Sequence, residues 1–149
     1  MKKLILPLAL GLIGLAAGAG AGFFLRPDAP DMAEEETEES AVPPEYAKLN
    51  NQFVIPVVED GAVVSLVVLS LSLEVTPGSS TTVFEHEPKL RDVFLQVLFS
   101  HANAGGFRGS FTDSANLVPL RMALFEAAAS VLPGVVTDVL IGDIVRQDG

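Results

Sequence analysis

Hydrophobic positions follow three different rhythms along this chain, and each predicts a different kind of element. From Leu4 to Leu25 no charge occurs for 22 residues. As a helix rising about 1.5 Å per residue, that run spans about 33 Å, enough to cross a hydrocarbon layer of about 30 Å. Residues 26–45 hold four prolines and a single large aliphatic residue, Val42. So little apolar surface cannot offset the entropy of ordering, and the segment reads as a linker. Residues 46–149 carry strand and helix periods and predict one folded domain.

Within that domain, Phe53 to Val58 is a β run interrupted by Pro56, which suits an edge strand, and Glu59-Asp60-Gly61 supplies a turn. Val63 to Val75 alternates almost without fault. Ser65, Val67, Leu69, Leu71, Leu73 and Val75 share one face; Val64, Leu66, Val68, Ser70, Ser72 and Glu74 share the other, which turns polar after Val68. The first face is expected in the core, the second against water or a neighbour. After a turn at Thr76–Ser80, a helix opens around Glu85-His86-Glu87-Pro88, with Leu90, Val93, Phe94, Val97 and Leu98 as its apolar stripe. Ser100 to Gly106 ends it. Thr112, Asp113 and Ser114 offer caps for a second helix carrying Leu117, Leu120, Leu124, Ala128 and Val131, with Pro119 expected in its first turn and regular helix beginning near Leu117. Pro133-Gly134 stops it, and Val135 to Gln147 closes as a strand with Val139, Ile141 and Val145 on one face. The order β-β-α-α-β predicts an α+β domain with helices packed on a mostly antiparallel sheet.

Charge sharpens this layout. The chain's net charge of -10 divides into +2 for residues 1–25, -7 for 26–45 and -5 for 46–149. Most of the acidity is therefore in the linker. Glu34, Glu35, Glu36, Glu38 and Glu39 form either a solvated spacer repelled by anionic headgroups or a docking strip for a basic partner. Nucleic acid is excluded as a partner, because no cluster of Lys and Arg is present to meet phosphates. With no cysteine, disulfides, thiolate metal sites and a cysteine nucleophile are excluded as well.

Lys2 and Lys3 precede the apolar run, so the positive-inside rule places the N-terminus in the cytoplasm and the domain outside, as a single-pass, N-in anchor. A cleaved secretory signal is the alternative, with small residues at Ala17-Gly18-Ala19 or Ala19-Gly20-Ala21. Continuation through Phe23-Phe24-Leu25 to Arg26 favours the anchor. Gly14, Gly18 and Gly22 lie along one face of that helix, a surface for close helix approach or simply the glycine content of membrane helices.

Taken in order, these features resemble the flagellar basal-body-associated FliL family. The likeness rests on the Lys-flanked anchor, the acidic Pro-containing linker, Tyr46 before Phe53-Val54-Ile55-Pro56-Val57 and the long apolar strand. It continues through Leu90-Arg91-Asp92-Val93, Leu120-Arg121, Val136-Thr137-Asp138-Val139-Leu140-Ile141 and Ile144-Val145-Arg146-Gln147. Gly105-Gly106-Phe107-Arg108-Gly109 and Pro119, in and after the helix–helix connection, depart from the family's pattern. The resemblance implies a periplasmic domain similar to the stomatin and prohibitin type, associated with flagellar stator subunits and the basal body. It also implies self-assembly, often as a ring, and a motility role without enzymatic activity.

The chemistry-bearing residues add little to suggest catalysis. His86 and His101 do not sit at metal-ligand spacing, and the Gly105–Ser110 loop matches neither a phosphate loop nor a nucleophile elbow, so no metal, cofactor or enzyme activity is expected. Arg91, Asp92 and Arg121 are charges within apolar helices, read either as internal salt bridges and solvated faces or as subunit contacts. Phe107 and Arg108 are read either as a loop anchored in the core or as a protein-binding anchor.

Overall fold

The computed structural model describes residues 41–149. The predicted anchor, with Gly14, Gly18 and Gly22, and linker residues 26–40 lie outside the described residues. No helix among the described residues is long and apolar enough to cross a membrane.

The chain forms β1 (Glu45–Lys48), β2 (Phe53–Glu59), β3 (Ala62–Val75), α1 (Ser80–Glu85), α2 (Glu87–Asn103), α3 (Ser114–Val131) and β4 (Val136–Asp148). All strand pairings are antiparallel, with β3 at the centre. One edge of β3 is shared by β1 and β2, laid end to end, and the other is taken by β4. The α+β expectation therefore holds for the described residues. Two short elements go beyond the sequence reading. β1 starts at Glu45, the last residue assigned to the linker, and α1 occupies the stretch after the Thr76–Ser80 turn. Four and six residues are too few for either period to register.

Local chemistry explains the turns. Asp60 and Gly61, both at positive φ, join Glu59 to its partner Ala62 as the two central residues of a tight hairpin, the Asp-Gly pairing that matches strand twist. Glu45 Oε2 accepts hydrogen bonds from Ser80 Oγ at 2.6 Å and Ser80 N at 3.2 Å, which ties β1 to the start of α1. Those Ser80 bonds hold the Glu45 carboxyl below its usual value.

The helices cover one face of the sheet, α2 against β2 and α3 against β4. Ser65, Val67, Leu69, Leu71, Leu73 and Val75 all face inward, as the alternation requires. They meet Leu90, Phe94, Leu98 and Ala102, one residue per turn of α2, and Leu120, Leu124 and Ala128 of α3. Two expectations need correction. α3 runs from Ser114, so Pro119 sits inside the helix rather than in a first turn near Leu117. Lying past the first four helical positions, it forgoes the bond its N–H would have made to Ala115 O and leaves that carbonyl without its helical partner. In β4, Leu71 pairs with Ile141 but Ser70 with Asp143, leaving Gly142 as a bulge. That extra residue moves Val145 to the outer face and brings Ile144 and Arg146 inward, so Val145 does not share a face with Val139 and Ile141.

Candidate interaction surface

Lys48 pairs with Ser72 and Phe53 with Leu69, so Leu49, Asn50, Asn51 and Gln52 lie opposite only Ser70 and Leu71. This bulge is held by the first turns of α2. The Glu87 carboxylate accepts from Asn50 N at 2.9 Å and Asn50 Nδ2 at 2.8 Å. Arg91 donates to Asn50 O at 2.8 Å, Asn51 O at 3.1 Å and Gln52 O at 3.3 Å, with its guanidinium 4.2 Å from the centre of the Phe53 ring. Of the two readings open for Arg91, internal bonding and subunit contact, the structure shows the internal one, through these backbone carbonyls. Asp92 is exposed and, among the described residues, pairs only along its own helix, with Lys89 at 3.2 Å and Gln96 at 3.3 Å. Glu87 and Asn50 escape the sequence reading because their pairing spans 37 residues.

The connection from α2 to α3 is built on Phe107, which is buried, so it anchors the loop in the core and is no exposed docking residue. Its ring meets His101 edge-to-face at 4.8 Å. A Cβ at Gly106 would overlap the His101 imidazole, which gives the glycine at this position a steric reason. From β4, Arg146 donates to Phe107 O at 3.0 Å and Gly109 O at 3.3 Å, and its guanidinium lies 4.8 Å from the Phe111 ring centre. Arg108 reaches the β2–β3 hairpin, pairing with Glu59 at 2.8 Å on an exposed surface where such a bridge contributes about 0–1 kcal/mol.

His101 gives this loop a pH dependence. Its Nε2 is buried without a hydrogen-bond partner among the described residues. Burial pushes the imidazole below its usual 6.5, opposed in part by the Gly106 backbone. The unfolded chain therefore binds this proton first. The stability contribution is whole above about pH 6.5 and is lost as pH falls from there toward the folded-state value. Melting temperature is expected to drop more between about pH 7.5 and pH 5.5 in the wild type than in His101→Gln, and equal slopes would remove His101 from the account.

Arg121 occupies a third place. It lines a cleft of about 190 Å³ with Val118, Met122, Phe125, Thr137 and Asp138, where its Nε is buried and unpartnered among the described residues. Among the described residues Arg121 makes no ion pair. Arg91, Arg108 and Arg121 consequently engage three separate parts of the domain and do not converge on one site.

What the domain presents most broadly is the outer sheet face. Cross-strand rows place Val54 beside Val68 and Val145, and Pro56 beside Leu66. Val54, Val58, Val64, Leu66 and Val145 are exposed, with Val54 at 52% and Val145 at 49%. A row of β-branched side chains with half their surface in water suits coverage by a partner. Val64, Leu66 and Val68 are legible in the sequence as such a face; Val145 is not, because the bulge at Gly142 decides it. A second, mostly apolar cavity of about 420 Å³ lies between α2 and α3, lined by Val97, His101, Pro119, Leu120 and Ala123. No group of three or more His, Asp or Glu among the described residues could hold a metal ion. No family model matches the chain, and no curated protein matches it.

Proposed function

We propose that the chain is a non-enzymatic, single-pass inner-membrane protein whose 46–149 domain lies in the periplasm, where it oligomerises and supports the stator units of the flagellar motor. The observation that carries the reading is the ordered set of motifs resembling the FliL family, now assignable to elements. Leu90-Arg91-Asp92-Val93 falls in the opening turns of α2, Leu120-Arg121 in α3 and Val136–Ile141 in β4. The one-sided sheet, with exposed valines on its outer face, adds a surface of the kind a neighbouring subunit covers.

Deletion of the gene is expected to reduce swimming speed and motor torque, and affinity purification of the tagged protein to recover stator subunits. Unchanged motility with no stator subunit recovered would defeat the reading.

The apolar cavity between α2 and α3 supports a second reading, a cleaved soluble periplasmic binding module. Mass spectrometry of the protein from its own cells separates the two. An intact N-terminus retains the anchor, and a mature N-terminus near Gly20 or Gly22 removes it.

A further inference from the structure

The sheet has two outer edges of unlike character. Leu49 N donates to Leu71 O at 3.0 Å, so odd-numbered residues of β3 turn their backbone groups toward β1 and β2. By the register, Phe53, Ile55 and Val57 bond to β3, whereas Val54 and Pro56 face outward. Pro56 has no N–H to offer there, which blunts that edge. On the other side, Gly149 N donates to Val64 O at 3.0 Å. Asp143, Val145 and Gln147 therefore bond to β3, and Ile144 and Arg146 turn their N–H and C=O groups away from the sheet. Beyond the Gly142 bulge, Val139 and Ile141 take the outward positions. The Val139 N–H is met by its neighbour, Asp138 Oδ1, at 2.8 Å. Ile141, Ile144 and Arg146 keep donors with no strand beside them among the described residues, since β4 pairs only with β3.

Beside the Thr137–Asp138 end of this strand, ahead of the free donors of Ile141 and Ile144, lies the flank of α3. Val118, Arg121, Met122 and Phe125 face Thr137 and Asp138 across the 190 Å³ cleft, and Val118 and Met122 are exposed at 49% and 59%. A free strand edge next to a helix flank is the geometry in which an extended peptide adds to a sheet, its backbone bonding the edge and alternate side chains meeting the helix. The cleft is lined by one acid and one cation: Asp138 Oδ1 accepts from Val139 N at 2.8 Å, whereas Arg121 has a buried Nε without a partner among the described residues, which an incoming carboxylate would satisfy.

We propose that the groove between the free edge of β4 and α3 binds an extended segment of another protein as a fifth strand. A Glu or Asp of that segment would pair with Arg121, and an apolar side chain two positions away would rest on Val118 and Met122. This inference does not depend on the motor reading and stands or falls separately from it.

The probe is a capped heptapeptide that alternates threonine with valine, glutamate and valine, titrated into the full-length chain in detergent. Binding is expected to slow amide exchange at Ile141 and Ile144 while leaving Val54 unchanged. Arg121→Gln, or lysine for the peptide's glutamate, is expected to weaken binding about tenfold, and Arg121→Glu to restore it for the lysine peptide. Methylation of the peptide's edge-facing amides is expected to abolish binding. Absence of binding at millimolar peptide overturns the proposal, as does indifference to the charge at residue 121 or protection appearing at the β2 edge. Protection of Ile144 before peptide is added also overturns it: in a monomer the chain's own acidic run fills the edge, and in a dimer a second copy does.

Discussion

Phe94→Ala is expected to destabilise the domain by about 3–5 kcal/mol, read as a lowered midpoint in denaturant titration followed by circular dichroism. Phe94 is fully buried in the middle of α2, where that helix crosses β2, and its ring meets Phe53 edge-to-face with centroids 6.2 Å apart. Truncation removes the transfer free energy of the ring, the aromatic pairing and the support beneath Phe53, and the surrounding strands cannot close the space without moving the sheet. Domains of this size hold only about 5–15 kcal/mol in total, so the variant is expected to be partly unfolded at ordinary growth temperatures. A loss under about 1 kcal/mol, far below the usual cost of such a truncation, would mean that α2 does not pack as described.

Glu87→Ala is expected to cost about 2–4 kcal/mol and to act locally first. The carboxylate is nearly buried and is the acceptor for both the backbone N–H and the side-chain amide of Asn50. Removing it strands two donors at the bulge and leaves Arg91 alone to hold Asn50–Gln52 through their carbonyls. Faster amide exchange at Asn50 than at Leu69 would show the bulge opening ahead of the sheet. Glu87→Gln, which keeps one acceptor, is expected to fall between wild type and Glu87→Ala. Unchanged exchange at Asn50 in Glu87→Ala would remove the clamp from the account.

Both positions show where sequence pattern stops being informative. Phe94 is readable as core because helix periodicity repeats over several turns, so its neighbours on the stripe vouch for it. Glu87 reads as an acidic residue favouring a helix start, and nothing in its local sequence indicates Asn50 as its partner. Arg91 is ambiguous for the same reason: a charge on an apolar helix can face a subunit, water or a distant bulge, and the pattern is identical in all three cases. Phe107 can be either buried or exposed until the loop's path is known. Gly142 is the one local signal that the strand reading passes over, since an isolated glycine in a strand pattern marks a bulge.

The exposed groove and face divide along the same line. The outer face of β3 is legible because alternation over 14 residues leaves no freedom about which side chains oppose the core. The free edge of β4 is not, because edges are a property of strand order, and strand order depends on which backbone groups find partners far along the chain. Arg121 acquires its meaning only beside Asp138 and Thr137, which follow it after the rest of its helix and a turn.

By itself, the amino-acid sequence determined the α+β class, the long central strand with its buried face, the stripes of the two main helices and the Asp-Gly hairpin. Each is set by period or by the backbone preference of one or two residues, which are local quantities. Tertiary structure alone decided that β1 and β2 share one edge of β3, that the bulge is clamped from α2, that Val145 faces out and that Arg121 lines a cleft beside a free strand edge. Each of these depends on hydrogen bonds or burial between residues far apart in the chain, which periodicity cannot register.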